Sequence, residues 1–277
     1  MASVDGGPVS VVILAREMPD VERIAASQFF TVIDLVSQVK PGDTVICRYS
    51  IYPFANEVLA NIESMGGTPI NSAQQLDYTF NIDVWSKDFS DLTPRVYAPG
   101  EPLPNGGSFV LKGGTYSKKW QWNTHMFAAT KDDVPAVREH LLDDTWLSNK
   151  PIFVRDHIPL VTFTTGMNGL PITKEFRLFF AGGDYIGGGY YWSSHVGDLQ
   201  DLGIPIPSVG EVPTWLIDTI RDTTKSRSNF LAADVAQTVE GKWILIEINE
   251  GQMSGLSEID PVEFYRNLLF AVTGVMV

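Results

Sequence analysis

The chain has 277 residues, of which 44% are hydrophobic, so it can bury a substantial core in one large domain or two lobes. Its formal net charge of -13 disfavours a surface that binds nucleic acid by neutralising a phosphate backbone. Cys47 is the only cysteine, which excludes an intrachain disulfide and a cysteine zinc cluster and indicates a reducing, cytoplasmic setting. We find neither a signal peptide nor an apolar run long enough to span a membrane.

The first hundred residues predict an alternation of strands and helices. Short β-branched runs indicate buried strands, and apolar residues at helical spacing indicate the helices between them. The pattern predicts strands over residues 9–15 and 43–49 and helices over residues 29–39 and 54–65. It predicts another helix after residue 72 that runs through Trp85. This β-α-β beginning is predicted to form a first domain, residues 1–100.

Residues 101–107 contain two prolines and two glycines, a composition typical of a linker, so a second domain is predicted over residues 101–277. Gly182 and Gly183 lie between two apolar runs and predict a hairpin. The pattern predicts strands over residues 108–112, 152–155, 175–181, 185–192, 230–236 and 243–249 and helices around residues 132–147 and 212–223. The predicted fold class is α/β (α+β).

A set of oxygen-bearing side chains near the end of the chain predicts a metal site. Glu247 and Asn249 are two positions apart in a predicted strand, so their side chains project from the same face. Gly241 is compatible with a tight antiparallel return that would bring Asp234 beside Glu247. Three oxygen ligands without cysteine or histidine suit Mg²⁺. The alternative is that Asp234 and Glu247 are ordinary acids at strand ends.

Lys112 ends an apolar strand and leads into a loop that contains Gly113, Gly114, Lys118 and Lys119. The glycines allow backbone amides to approach an anion, and each ammonium adds a positive charge. The GxxxxGK[ST] spacing of a Walker loop is absent. This segment predicts a phosphate-binding loop, with a glycine turn bearing solvated lysines as the alternative. Lys112 fits that alternative least well because it ends a strand.

Arg177 lies within a run of apolar and aromatic residues that includes Phe176 and Leu178. An arginine in such a strand needs an anionic partner, because a buried unpaired charge is costly. Its planar guanidinium suits a bidentate contact with phosphate or carboxylate oxygens. A structural salt bridge to Asp or Glu is the alternative.

Other residue types give weaker signals. No GxSxG motif occurs, and Cys47 falls in a predicted buried strand, so nucleophilic catalysis by the chain itself has little support. The four histidines have no metal-binding spacing, and we interpret them as incidental: His125, His140, His157 and His195. Five aromatic residues are either core or the lining of an open groove for a long substrate: Trp120, Trp122, Tyr190, Tyr191 and Trp192.

In this order the motifs resemble the ATP-grasp superfamily, from about Gly66 to Leu256. The resemblance implies an ATP-grasp fold preceded by a β-α-β pre-ATP-grasp lobe, with ATP and Mg²⁺ as cofactors. Residues 67–72 resemble the turn that closes the preceding domain. The implied ATP-binding residues are Lys112, Lys118, Lys119, Arg177 and a hinge for adenine formed by Phe153, Val154, Arg155 and Asp156, and the implied magnesium ligands are Asp234, Glu247 and Asn249.

Within that superfamily, residues 154–156 and 174–179 are similar to a divergent clade named for one arginine and two lysines, whose eukaryotic member assembles a translation initiation factor. The two lysines map to Lys112 and to Lys118 or Lys119.

The chain departs from the glutamate-adding ligases of the superfamily at two places. Tyr190 and Tyr191 stand where those ligases have an arginine, and Gln252 stands where a proline often follows. Both departures concern the acyl-phosphate chemistry and the acceptor more than the binding of ATP.

The resemblance implies a carboxylate-amine ligase, in which ATP phosphorylates a carboxylate and an amine displaces phosphate. Lys112, Lys119 and Arg177 are the implied catalytic residues, because they would stabilise charge on the transferred group. The alternative is a non-catalytic assembly factor or chaperone that ATP binding orders around a partner protein. The carboxylate and the amine stay open, with a peptide or protein among the options and a membrane excluded.

Overall fold

The structure is a computed structural model that describes residues 10–16, 18–113, 118–143 and 151–276. Three four-stranded sheets and one two-stranded sheet form within these ranges. Among the described residues, no helix is both long and apolar enough to cross a membrane. Residues 114–117 of the predicted phosphate loop lie outside the described ranges.

The N-terminal sheet is parallel, with the strand order β2-β1-β3-β4, and its strands are β-branched and mostly buried, as expected for a sheet covered on both faces. Its elements are β1 (Val11–Leu14), α1 (Asp20–Ala26), β2 (Thr31–Ile33), β3 (Thr44–Cys47), α2 (Ala55–Ser64) and β4 (Thr68–Pro69). The predicted strands and the helix over residues 54–65 are confirmed.

The helix predicted over residues 29–39 is wrong. Residues Thr31–Ile33 form strand β2, and Val36–Gln38 form a single 3-10 turn. The β-branched sequence of β2 extends the chain against β1, where Val12 is opposite Thr31. The helix between the first two strands is instead α1, which begins after Pro19.

The middle sheet is antiparallel, with the strand order β5-β8-β6-β7, and helix α5 packs on one of its faces. Its elements, with two helices that precede it, are α3 (Ala73–Phe80), α4 (Ile82–Asp88), β5 (Val96–Tyr97), β6 (Phe109–Gly113), β7 (Phe127–Ala128), α5 (Val134–Leu142) and β8 (Ile152–Asp156). Helix α3 begins where the sequence supplies a capping box: the Ser72 hydroxyl accepts from the Gln75 amide, and the Gln75 side chain accepts from the Ser72 amide.

The remaining elements build the C-terminal sheet, which is antiparallel with the strand order β12-β11-β13-β14, and a two-stranded sheet beside it. They are β9 (Thr162–Thr165), β10 (Pro171–Thr173), β11 (Glu175–Ala181), β12 (Asp184–Tyr190), α6 (Val196–Asp201), α7 (Thr214–Thr224), β13 (Phe230–Gln237), β14 (Trp243–Glu250) and α8 (Pro261–Thr273). The hairpin prediction is confirmed. Gly182 and Gly183 both have positive φ and form a two-residue turn between Ala181 and Asp184.

Strand alternation divides the C-terminal sheet into two faces. On one face Phe176, Leu178 and Phe180 join a hydrophobic cluster with residues of α4 and α7. On the opposite face, one end of the sheet packs Phe179 and Phe230 against α8 and the N-terminal sheet. The other end of that face carries polar side chains and faces the middle sheet.

The packing does not change at residue 100, where the division into two domains was predicted. Trp85 and Phe89 lie in the same hydrophobic cluster as Phe176, and β5 pairs with β8 of the middle sheet. Helix α4 therefore packs with the elements that follow residue 100, whereas α3 contributes Tyr78 to that cluster and Leu76 to the core of the N-terminal sheet. The division into two domains at residue 100 stays a prediction.

Candidate functional site

A cavity of about 440 Å³, here called the sheet cavity, lies between the middle and C-terminal sheets. Apolar side chains from β6, β14 and the segments beside them provide most of its wall. The charged and titratable residues that line it are Lys112, Lys119, Arg155, Asp156, His157, Glu175 and Glu247.

Lys112 on β6 and Glu247 on β14 form an ion pair between the two sheets. Lys112 is only 7% exposed, although it ends a strand that leads into a loop. Burial by itself would raise the pKa of the Glu247 carboxyl, but the charges of Lys112 and Lys119 hold that pKa well below its usual range. The alternative of a solvated Lys112 is therefore excluded.

Arg177, Asp234 and Glu247 stand side by side on three neighbouring strands. Asp234 on β13 is opposite Arg177 on β11 and opposite Glu247 on β14. The Arg177 guanidinium donates Nε and Nη2 to the two carboxylate oxygens of Asp234, each at 2.8 Å. Asp234 is 0% exposed, and its Oδ2 also accepts from Asn249 Nδ2 at 3.4 Å. The sequence therefore located the pairing of Asp234 with Glu247, and Arg177 has the salt bridge that was the alternative prediction.

A β-bulge in β14 brings consecutive residues to the cavity. Asp234 is opposite Glu247, but the next residue, Val235, is opposite Leu245, so Ile246 is an extra residue in the strand. Ile246 and Glu247 consequently both line the sheet cavity, instead of pointing to opposite faces. The bulge places an apolar side chain directly beside the carboxylate of the predicted metal site.

Lys119 begins a 3-10 turn after the undescribed residues 114–117 and lines the sheet cavity. Its Nζ donates to the Tyr191 hydroxyl at 2.8 Å and lies 3.8 Å from Oε1 of Glu175. Glu175 is buried, and burial raises the pKa of its carboxyl while Lys119 opposes the rise. Lys118 is partly exposed and lines neither this cavity nor the one described below.

The four residues of the predicted adenine hinge are in two environments. Phe153 and Val154 are buried in hydrophobic clusters on opposite faces of β8, whereas Arg155 and Asp156 line the sheet cavity. Arg155 donates to the Ile246 carbonyl and to the Thr93 hydroxyl, each at 2.8 Å. Burial lowers the pKa of Arg155 to about 10.

The segment that follows β8 lines the sheet cavity and was missed by the sequence analysis. His157, Ile158, Pro159 and Leu160 are all at its wall. The His157 ring packs edge-on against Phe127, with ring centroids 5.0 Å apart, and burial lowers the pKa of its imidazole. A run of one histidine and apolar residues after a buried strand was the available signal for this part of the wall.

A second cavity, of about 470 Å³, adjoins the first and is here called the aromatic cavity. Trp120, Tyr191 and Trp192 line it, and Trp120 is 66% exposed. Trp122 lines the sheet cavity, while Tyr190 is buried in the core. Four of the five rings therefore line one of the two cavities, and an open groove for a long substrate stays a prediction. The polar and charged residues at this wall are Lys119, Arg177, Ser193, Ser194, His195, Glu247, Asn249 and Ser257.

The residue types of the predicted metal site are those that a hard cation binds, although both Asp234 oxygens here accept from Arg177. Asp234, Glu247 and Asn249 offer two carboxylates and an amide oxygen, which suit a Mg²⁺ ion that keeps waters and binds phosphate oxygens as well. Within the described ranges, no group of three or more His, Cys, Asp or Glu side chains is placed to share a metal. A cation at this site would therefore need ligands beyond the two carboxylates.

Two buried side chains of the N-terminal elements hold the C-terminal sheet and were not among the predicted site residues. Arg48, after β3, donates to the carbonyls of Gly251, Gln252 and Ser254 in the loop that follows β14. Asn71 donates to the Phe230 carbonyl at 2.7 Å and accepts from its amide at 3.0 Å. Both contacts join residues more than 150 positions apart, so no local pattern reveals them.

The sequence matches a family model over residues 107–268, more than half of the chain. The model describes an ATP-grasp domain, family 3 of the clade named for one arginine and two lysines. No curated protein matches the chain.

Solved structures with the same fold are similar over nearly the whole chain. The D-cycloserine synthetase DcsG has a TM-score of 0.58 at 13% identity, over 94% of this chain and 98% of its own. A RiPP-associated ATP-grasp ligase of Chryseobacterium gregarium, in complex with ADP and a leader and core peptide, has a TM-score of 0.59 at 12% identity, over 94% and 95% of the two chains. The ATP-grasp ligase PsnB, complexed with minimal precursor, Mg and ADP, has a TM-score of 0.55 at 11% identity, over 96% and 99%.

Proposed function

This chain belongs to the arginine-and-two-lysines clade of the ATP-grasp superfamily, as a member of its family 3, and on that premise we propose that it is an ATP- and Mg²⁺-dependent carboxylate-amine ligase. In the proposed reaction, a carboxylate oxygen of the substrate attacks the γ-phosphorus of ATP, and ADP leaves. The nitrogen of an amine then attacks the acyl carbon. The bond from that carbon to the phosphate oxygen breaks, so that phosphate leaves and an amide forms.

The observation that carries this proposal is the junction of the two cavities. Lys119 and Glu247 line both the sheet cavity and the aromatic cavity. Arg177, which lines the aromatic cavity, is joined to Glu247 through Asp234. A phosphoryl group at this junction would be reached by a nucleotide from one side and by a carboxylate from the other, and cations there would stabilise its charge.

The adenosine part of ATP fits the sheet cavity. Its wall is mostly apolar, as a stacked base requires. Asp156 ends β8, and although its Oδ1 accepts from the Tyr97 hydroxyl, the carboxylate has further capacity to accept from ribose hydroxyls. The part of the connector that lines this cavity is His157 to Leu160, so we assign the adenine contact there and not to the side chains of Phe153 and Val154, which are buried in the core.

Mg²⁺ would be held by Asp234, Glu247 and Asn249, and when bound it would neutralise charge on the phosphate oxygens. Lys112 and Arg177 now pair with Glu247 and Asp234. Their ammonium and guanidinium groups would turn to the phosphate oxygens of the nucleotide once a cation takes over the carboxylates. Lys119 would complete the charge stabilisation at the junction.

We further propose a peptide as the carboxylate substrate. Two of the structurally similar ligases were solved in complexes: PsnB with its minimal precursor, and the Chryseobacterium gregarium ligase with a leader and core peptide. In this chain, Trp120, Tyr191 and Trp192 give the aromatic cavity a large apolar surface, and Trp120 is open to solvent. Aromatic side chains bind extended chains by burying apolar area at a low cost in conformational entropy.

A hydroxylamine screen tests the proposal. The protein is incubated with ATP, Mg²⁺ and hydroxylamine, together with each of a panel of carboxylates that includes free amino acids and peptides with Asp or Glu side chains. We expect a peptide to give a hydroxamate and an equal amount of ADP, because hydroxylamine traps an acyl phosphate. The same carboxylate is then combined with a panel of amines that includes glycinamide.

Glu247→Gln is the matched inactive variant, because it keeps the shape of the side chain and removes the charge proposed to hold Mg²⁺. ADP release in the variant equal to that of the wild type would contradict the assignment of the metal site. Tight binding of ATP without a hydroxamate from any carboxylate would favour the assembly factor over the ligase.

A further inference from the structure

His195 lines the aromatic cavity and is fixed on several sides. Its side chain is 17% exposed, and its Nδ1 lies 2.8 Å from Oδ2 of Asp198. The Trp192 ring meets the imidazole edge-on, with ring centroids 6.1 Å apart. Gly166 lies against the same ring, since a Cβ there would be 3.4 Å from Cε1 of His195. The orientation of this ring is therefore set by its neighbours.

The contact with Asp198 also sets the tautomer of the neutral ring. A carboxylate only accepts hydrogen bonds, so Nδ1 carries the hydrogen and Nε2 carries the lone pair. Asp198 is 65% exposed, so its carboxylate is solvated. A proton taken up by Nε2 gives an imidazolium, whose positive charge the Asp198 carboxylate stabilises.

Other candidate proton acceptors at the described wall of the aromatic cavity are already engaged. Glu247 pairs with Lys112 and is proposed to bind the metal. The Tyr191 hydroxyl accepts from Lys119, and two cations lie over its ring, Lys119 at 4.1 Å and Arg177 at 4.8 Å from the centroid. His195 is the group at that wall whose chemistry suits proton removal from an amine near neutral pH.

We propose that His195, held by Asp198, is the general base that deprotonates the acceptor amine, a role that rests on the proposed ligase function. The protonated amine gives one proton to Nε2 of His195, and the neutral nitrogen then forms the bond to the acyl carbon. The carbon–oxygen bond to phosphate breaks, the electron pair leaves with the phosphate, and the second proton of the nitrogen passes to that phosphate. His195 takes no part in the first half of the reaction, because forming the acyl phosphate requires no deprotonated amine. The incidental role first given to this histidine is replaced.

The two halves of the reaction separate in an experiment with two acceptors. Hydroxylamine is unprotonated at neutral pH and needs no base, whereas glycinamide and other alkyl amines of the panel are largely protonated. In His195→Gln we expect hydroxamate formation to stay near the wild-type rate and amide formation to fall about 10²- to 10⁴-fold. His140→Gln is the matched control, because His140 also has its Nδ1 hydrogen-bonded, at 2.8 Å from the Thr124 carbonyl, but lines neither cavity.

Equal losses with both acceptors in His195→Gln, or no loss with either, would overturn the role of His195 while leaving the ligase intact. Absence of hydroxamate in the wild type with every carboxylate would contradict the ligase itself and this role with it. A wild type that forms hydroxamate but no amide with any amine of the panel also overturns the role.

A second measurement depends on no substrate. Long-range ¹H–¹⁵N spectra of the free protein report which imidazole nitrogen carries the hydrogen. We expect His195 to show the lone pair on Nε2, and Asp198→Ala to lose that preference because the carboxylate that holds Nδ1–H is gone. A wild-type His195 with the hydrogen on Nε2 would contradict the proposal.

Discussion

Charged side chains of the site are paired with each other, in one case between the two sheets and in the other within the C-terminal sheet. Lys112 pairs with Glu247 and Arg177 with Asp234, and in each pair one member is a proposed metal ligand and the other a proposed phosphate ligand. Leaving one member of a buried pair without its partner is costly. Binding of the metal to the two carboxylates would therefore release both cations for the phosphates, and binding of the nucleotide to the cations would release both carboxylates for the metal. We predict that the metal and the nucleotide each strengthen the binding of the other.

Lys112→Met tests this exchange at one residue. The substitution keeps an apolar stem and leaves Glu247 without its cation, so we expect Mn²⁺ to bind more tightly in the absence of nucleotide. The expected gain is about 10- to 100-fold, since a hydrogen bond to a charged group contributes about 1.5–3 kcal/mol. Electron paramagnetic resonance of unbound Mn²⁺ measures it. Lys225→Met, at an exposed lysine, is the control, and equal Mn²⁺ affinities in both variants would argue against the exchange.

At the scale of elements, the connector after β8, residues 157–160, forms one wall of the sheet cavity. His157 is the titratable residue of this connector. Its Nδ1 lies 2.9 Å from the Ser108 hydroxyl, and its ring packs against Trp122 and Phe127. Burial lowers the pKa of the imidazole, so the folded protein binds the proton less well than the unfolded chain does. Protonation therefore opposes folding around this element.

His157→Gln tests the sign of that linkage. A pKa depressed on folding contributes stability that is present above the unfolded value, about 6.5, and is lost as the pH falls below it. We expect the free energy of unfolding of the wild type to fall more steeply than that of the variant between about pH 6.5 and pH 5. Urea denaturation at several pH values measures both slopes. Parallel curves would show that His157 is not the group responsible.

The sequence predicted the elements whose signals are local. The turn at Gly182 and Gly183, the neighbouring strands β13 and β14, and the pairing of Asp234 with Glu247 all depend on residues close to one another in the sequence. Helical spacing misled over residues 29–39, because β2 is too short to show a period of two and its pairing with β1 decides its conformation. The bulge at Ile246 gave no local signal either.

The parts of the site that the sequence analysis missed are set by tertiary packing. Glu175 is two positions before Arg177, but its partner Lys119 lies in the connection between β6 and β7 of the middle sheet. The connector after β8 becomes a cavity wall only because β14 lies opposite. His195 lacks any metal-binding spacing, and its proposed role depends on its position at the aromatic cavity and not on its neighbours in sequence.

At the scale of the whole molecule, the N-terminal sheet determines where the end of β14 and the loop after it lie. Arg48 is buried and bridges Glu22 of α1, at 2.6 Å, to three carbonyls of that loop. The Tyr265 hydroxyl of α8 donates to the same Glu22 oxygen at 2.6 Å. Because Asn249 immediately precedes this segment of chain, the N-terminal sheet helps to position the proposed metal site through Arg48.

Arg48→Met removes the link between the N-terminal sheet and the loop after β14, and it leaves Glu22 without its cation and three carbonyls without the Arg48 donor. We expect the free energy of unfolding to fall by about 3–5 kcal/mol, the range for breaking a buried ion pair by removing one partner. Arg23→Met is the matched control, because Arg23 forms an ion pair of the same 2.6 Å length with the exposed Asp34. Its expected cost is about 0–1 kcal/mol.

Urea denaturation measures both costs, and calorimetric titration with Mg²⁺ and ATP, below the unfolding transition, measures the affinity of the site for the nucleotide. Weakened nucleotide binding in folded Arg48→Met, with normal binding in Arg23→Met, would follow from a displaced loop at Asn249, whereas equal stabilities of the two variants would show that Arg48 does not join these parts of the molecule.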